Sequence, residues 1–310
     1  MNRFIHLFLM SLLSLLVAGC NSLRNEVDPE RLNKEAGKLV VTGFLSPQDT
    51  LLAVSVSRSR TVLNDGSPTS TNTLNVTDAQ VSLTRGHVVA FLRYDSNRNV
   101  YVTDATTFRI EAGQTYKLHV FTKEGEKATG TCTIPSPVNL NSITFDSAYG
   151  NRYGRRQMRY FIRARWQDQA GQPNYYQVNG AFSFMLTDAN TNPYNNENST
   201  LIQFDRSNGG LITDHDADGQ PFVSDRAYLE SYIYYSFPSK SFYSQYKSAR
   251  VRVDLLNVEQ TYYQYQDAVS RQLEVSGNPF AEPVPIPSNI EGGLGCFAGY
   301  NRSTVTLKLK

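Results

Sequence analysis

The sequence predicts an all-β protein of two sandwich-like domains with one helix in the second. Three observations predict it. Apolar and polar residues alternate with period two through most of the chain after Lys38, the Pro135-Ser136-Pro137 break divides the alternating runs into two sets, and only 260–275 has helical spacing.

Residues 1–19 read as a lipoprotein signal peptide. Arg3 supplies the positive start, and Phe4 to Val17 form an apolar run interrupted by His6, Ser11 and Ser14. The run ends in Val17-Ala18-Gly19-Cys20, which resembles the bacterial lipobox, whose cysteine is acylated, palmitate among its fatty acids. The alternative is an ordinary secretory signal followed by a chance cysteine. Several acyl chains on Cys20 would satisfy the requirement for stable anchoring. No later run reaches about 18 apolar residues, so the expected anchor is this lipid. Residues 20–37, with Asn21, Ser22, Asn25, Glu26, Asp28 and Pro29, read as the lipidated cysteine and a flexible tether.

The first domain is expected over 38–134. Leu52, Val54 and Val56 alternate with Ala53, Ser55 and Ser57, and Tyr116, Leu118 and Val120 alternate with Lys117, His119 and Phe121. Strands are predicted at 38–45, 50–57, 78–84, 88–94, 100–104, 115–122 and 127–134, a pattern that fits an immunoglobulin-like or transthyretin-like sandwich. The second domain, 135–310, is predicted to hold strands at 140–146, 158–167, 174–187, 221–235, 248–258 and 304–309. Tyr262, Tyr265, Val269 and Leu273 recur at steps of three and four, which predicts the helix, with Gly277 as its stop. The four prolines between Asn278 and Pro287 predict an extended, semi-rigid loop.

Composition excludes some roles. Hydrophobic residues at 40% and aromatics at 12% supply a core and argue against wholesale disorder. The formal charge of +2 gives no basic excess for nucleic acid, and removal of Arg3 with the signal leaves the chain near neutrality. Polybasic adhesion to anionic lipid is therefore not expected. Cys132 shares a strand face with Ala128, Gly130 and Ile134 and reads as a small core residue; a Cys132–Cys296 disulfide stays open in an exported chain.

The sequence carries no recognisable catalytic motif. After the signal the histidines are His87, His119 and His215, none in HExxH or HxH spacing, and there is no GxSxG elbow. Gly125 to Gly130 has P-loop spacing, but Thr131 stands where the lysine belongs. A non-enzyme is expected. Asp214, Asp216 and Asp218, with Gly219 sixth and Asp225 twelfth, follow the spacing of a Ca²⁺ loop, in which hard oxygens converge around a sharp turn. The alternative is a solvated acidic turn. Aromatics crowd 228–246, and adjacent pairs in an extended chain point to opposite faces. Tyr232, Tyr235, Phe242 and Tyr243, with Phe280 in the proline-rich loop, are the expected contact surface; the alternative for the aromatics is ordinary sandwich core with a Tyr-rich outer face.

Two stretches carry a family resemblance. Leu39-Val40-Val41-Thr42-Gly43-Phe44-Leu45-Ser46-Pro47 is one; Asn278-Pro279-Phe280-Ala281-Glu282-Pro283-Val284 followed by Ser288-Asn289-Ile290-Glu291-Gly292-Gly293-Leu294-Gly295 is the other. In order and spacing these resemble a Bacteroidota outer-membrane lipoprotein family, a domain of unknown function often encoded beside TonB-dependent receptors. The resemblance implies an outer-membrane, lipid-anchored accessory or binding subunit working with such a receptor in nutrient uptake. A structural or assembly protein of the envelope is the alternative, and a glycan or peptide hydrolase comes last.

Overall fold

The computed structural model describes residues 37–59, 74–152, 154–187, 197–204, 209–229, 242–276, 278 and 280–310. The fold is all-β. The first half holds β1 (Leu39–Leu45), β2 (Leu51–Arg58), β3 (Gln80–Arg85), β4 (Val88–Asp95), β5 (Val100–Asp104), β6 (Thr115–Phe121) and β7 (Lys127–Thr133). The second holds β8 (Leu140–Arg152), β9 (Arg155–Gln167), β10 (Tyr175–Leu186), β11 (Asn198–Gln203), β12 (Leu211–Thr213), β13 (Pro221–Val223) and β14 (Ala227–Tyr228). A four-residue helix α1 (Phe242–Gln245), β15 (Tyr246–Val258), the long helix α2 (Gln260–Val275) and β16 (Leu294–Lys308) complete it.

One hydrogen-bonded path runs β11-β10-β15-β16-β1-β2-β5-β4-β3-β6-β7, with β12 also on β10; a second sheet joins β8, β9, β13 and β14. The long path makes sandwiches because two strands change partners midway. β4 pairs with β3 through Val88–Leu92 and with β5 through Arg93–Asp95, which folds the sheet over the first core. β16 pairs in parallel with β1 through Leu294–Gly299 and antiparallel with β15 through Tyr300–Lys308. The first core takes Val41, Val54, Leu83, Tyr116, Leu118 and Phe297; the second takes Trp166, Tyr176, Phe182, Phe242 and Val253. A third cluster, with Tyr262, Cys296 and Ala298, seats α2 on β16.

The closing strand begins ten residues earlier than its alternation predicts, at Leu294 instead of 304. Its first half, Gly295 to Gly299, is buried without interruption, with Phe297 in the first core and Cys296 and Ala298 under α2. A strand covered on both faces loses the period-two signature. The run predicted at 221–235 is two short strands, β13 and β14, and its last part, 230–241, lies outside the described residues. α2 has the predicted bounds, but Leu273 is 70% exposed, because only Tyr262 and Ala268 are buried and the last turns leave the sheet. Cys132 and Cys296 are both free and buried; burial, with the Glu259 carboxylate adding to it, raises both thiols and leaves them protonated core residues.

Leu39–Ser57 with Asn75–Lys310 form one compact unit, and Lys38, Arg58, Ser59 and Leu74 group separately, where Ser59 N–H donates to Lys38 O at 2.9 Å.

Glu259, just before α2, gathers three elements. Its carboxylate accepts the Thr133 N–H at 2.6 Å and the Gly299 N–H at 2.7 Å, so the end of β7, β16 and the helix start share one group. Burial holds its pKa above the ordinary glutamate value despite these two bonds, which act the other way. An acid whose folded pKa is raised contributes stability below its unfolded pKa and loses that contribution as pH rises through the folded value. The stability of wild type relative to Glu259→Gln is therefore expected to fall with rising pH across this window. Urea midpoints of both proteins against pH check it, and a pH-independent difference would contradict it.

Candidate functional site

The acidic loop folds at the end of the second sandwich. β12 delivers Thr213 and Asp214, the turn follows, and Pro221 opens β13. Ala217 N–H donates to Asp214 O at 2.7 Å and Gln220 N–H to Ala217 O at 3.1 Å, with Gly219 in the left-handed region at φ 68°. The β9–β10 connection packs against this turn. Asp168 N–H donates to Gln220 O at 3.2 Å, and Asp214 N–H to Asn174 O at 3.3 Å.

Three carboxylates converge there. Asp168 and Asp214 are buried, Asp218 is exposed, and each offers an oxygen within 4.8 Å of the others. Asp168 accepts the Tyr176 hydroxyl at 2.5 Å and the Gly219 N–H at 2.7 Å. Asp214 accepts the Asn174 N–H at 2.8 Å, and Asp218 accepts the Gly171 N–H through both oxygens. Burial raises the Tyr176 pKa, and the Asp168 carboxylate raises it further, so the phenol remains the proton donor. No Lys or Arg ion pair reaches the three acids among the described residues. A cleft of about 470 Å³ opens beside them, lined by Tyr175, Thr213, Asp214, His215 and Asp218. Carboxylate oxygens at this spacing are of the kind that could hold a hard cation.

The set differs from the one the spacing predicts. Of Asp214, Asp216, Asp218 and Asp225, only Asp214 and Asp218 meet. The Asp216 side chain is 96% exposed, 4.0 Å from His215, and Asp225 lines a second cleft with Phe204, Leu211 and Tyr263. Their place is taken by Asp168, 46 residues before Asp214 in the chain. A single aspartate at a strand end has no local pattern to announce it.

The predicted contact surface also divides. Phe242 is fully buried, 4.8 Å from the Tyr246 ring and 5.0 Å from Phe145, because α1 turns it into the second core. Its neighbour Tyr243 is 52% exposed, the outward member of the pair. Tyr232 and Tyr235 lie outside the described residues. Phe280 is 95% exposed. Its loop is held: Phe280 N–H donates to Asn278 Oδ1 at 3.0 Å, and Val284 N–H donates to Gln272 Oε1 on α2 at 2.8 Å. Leu273 and Ile286, at 70% and 46% exposure, present further apolar surface on the same helix and loop.

A family model described as "Domain of unknown function (DUF4249)" matches residues 24–306. The chain belongs to the DUF4249 family. No curated protein sequence matches it. Among solved structures, this DUF4249 chain is similar to one described as "Biofilm associated protein - BSP domain", at 7% identity and a TM-score of 0.18. The alignment covers 88% of this chain and 59% of that one. No helix among the described residues of the DUF4249 chain is long and apolar enough to cross a membrane.

Proposed function

We propose that the protein is a lipid-anchored outer-membrane accessory subunit that binds a protein partner, a TonB-dependent transporter, without catalysing a reaction itself. Anchoring follows from the lipobox-like Val17-Ala18-Gly19-Cys20 and the polar tether after it. The single observation that carries the binding role is Phe280. An aromatic ring 95% in solvent, on a proline-rich loop hydrogen-bonded back to α2 through Val284, is suited to anchor a partner. Tyr243, Leu273 and Ile286 are further apolar groups exposed in this half of the chain.

The test is mild-detergent purification of the tagged lipoprotein after cross-linking in cells that express the neighbouring receptor. A co-purifying transporter is expected. In Phe280→Asp its recovery should drop at least about tenfold, the scale of losing one central aromatic anchor. Recovery of the lipoprotein alone would overturn the transporter reading.

A further inference from the structure

β9 carries a row of arginines that the balanced composition conceals. Ile162, Ala164 and Trp166 are buried in the second core, so Arg159, Phe161, Arg163 and Arg165 lie on the opposite face of the sheet. The register extends that face sideways. Tyr228 of β14 stands opposite Phe161, Val223 of β13 opposite Arg165, and Asp146 and Thr144 of β8 opposite Phe161 and Arg163. Arg226 precedes Ala227, the partner of Ile162, and so shares the face.

The guanidiniums are set by the two rings. Arg159 lies 3.5 Å from the Tyr228 centroid and Arg226 lies 4.6 Å from that of Phe161, with the rings edge to face at 5.8 Å. Stacking fixes a guanidinium plane without using its N–H donors. Arg163 Nε is buried with no hydrogen-bond partner. Arg165 and Arg226 are exposed and form no ion pair among the described residues. Among the described residues the register sets one carboxylate on this face, Asp146, against the exposed Arg165 and Arg226; Asp225 faces the cleft beside Tyr263.

We propose that this arginine face docks the body against an anionic, phosphate-bearing lipid surface, that of the membrane in which Cys20 is anchored. Guanidiniums pair bidentately with phosphate, and the exposed Arg165 and Arg226 can each engage a headgroup. Each basic residue near such a surface raises partitioning about fivefold. The tether of residues 21–37 reaches up to about 60 Å when extended, so it permits the contact without enforcing it. The choice of membrane rests on the lipoprotein reading; the charge of the face does not.

The experiment is vesicle flotation with the purified full chain, on phosphatidylcholine alone and on phosphatidylcholine containing phosphatidylglycerol. Wild type should prefer the anionic vesicles, and the preference should fall as salt is raised. R165Q/R226Q should lose about 25-fold of it, two steps of about fivefold, with an unchanged circular dichroism spectrum. R93Q, which removes an exposed arginine from β4, should retain it. Equal partitioning of wild type on both vesicles overturns the proposal, as does an R93Q loss equal to the per-residue loss on the face. Palmitate labelling of Cys20 in cells is scored separately. Absent labelling with intact anionic preference removes the anchor reading and with it the choice of membrane, while labelling without that preference overturns the docking face alone.

Discussion

Gly295→Ala is expected to remove a large share of the folding stability. Gly295 sits at φ 115°, outside what an L side chain adopts comfortably, and opposite Val41 in the parallel pairing of β16 with β1. A Cβ there would lie 2.1 Å from Val41 O and 2.9 Å from its carbonyl carbon. These are backbone atoms in the middle of a buried ladder, so neither side can give way without opening the pairing that joins β16 to the first core. Backbone strain of about 1–3 kcal/mol, with the clash added, brings the expected loss to about 4 kcal/mol or more. Against a typical total of about 5–15 kcal/mol, that is a large share of the stability. Gly86→Ala is the control. Gly86 also has positive φ, 55°, but nothing lies within 4 Å of an added Cβ, so strain alone remains, about 1 kcal/mol. Urea denaturation of the two variants measures both, and similar small losses in each would refute the close-approach account.

That glycine also shows what was legible in the sequence. Period-two alternation marked β1, β2, β6 and β10 to within a residue or two, because each has one face in a core and one toward solvent. It failed where a strand is covered on both faces. β16 begins among Gly295, Cys296, Ala298 and Gly299, small residues that let β1, α2 and β7 approach, and their packing leaves no alternation to read. The family resemblance includes Gly292-Gly293-Leu294-Gly295, and the physical content of this segment is close backbone approach; a Cβ on Gly292 would likewise meet Lys127 O at 2.1 Å.

The site was less legible for a related reason. Local spacing could unite Asp214 with Asp218, but Asp168 reaches them only through the packing of two connections far apart in the chain. The arginine row was readable in principle. Arg159, Arg163 and Arg165 keep the parity of a single strand face, interrupted at Phe161, while the even positions are core residues. Whole-chain charge averages this away, since the acids lie on other elements.

Asp168→Ala is expected to be more destabilising than removal of the exposed loop aspartates. The loop aspartates share one spacing pattern, but burial separates them. Asp168 is 4% exposed and accepts from two fixed donors, the Tyr176 hydroxyl and the Gly219 N–H. Truncation leaves both without an acceptor where water has little access, about 1–3 kcal/mol each, for an expected loss of about 3–5 kcal/mol. Asp168→Asn keeps the volume and one acceptor oxygen, but its amide group turns a donor toward a donor. The phenol can rotate to accept, whereas the Gly219 N–H cannot, so the loss should fall to about 1–3 kcal/mol. Asp216→Ala removes a side chain 96% in solvent and should stay within about 0.5 kcal/mol. Hydrogen exchange gives the local reading. The Gly219 amide should lose protection in both Asp168 variants and keep it in Asp216→Ala, whereas the Gly171 amide, held by Asp218, should lose protection in Asp168→Ala only as far as the turn itself loosens. If Asp168→Ala and Asp216→Ala denature at the same urea concentration, the buried carboxylate does not hold the turn, and the convergence of Asp168, Asp214 and Asp218 contributes nothing to the fold.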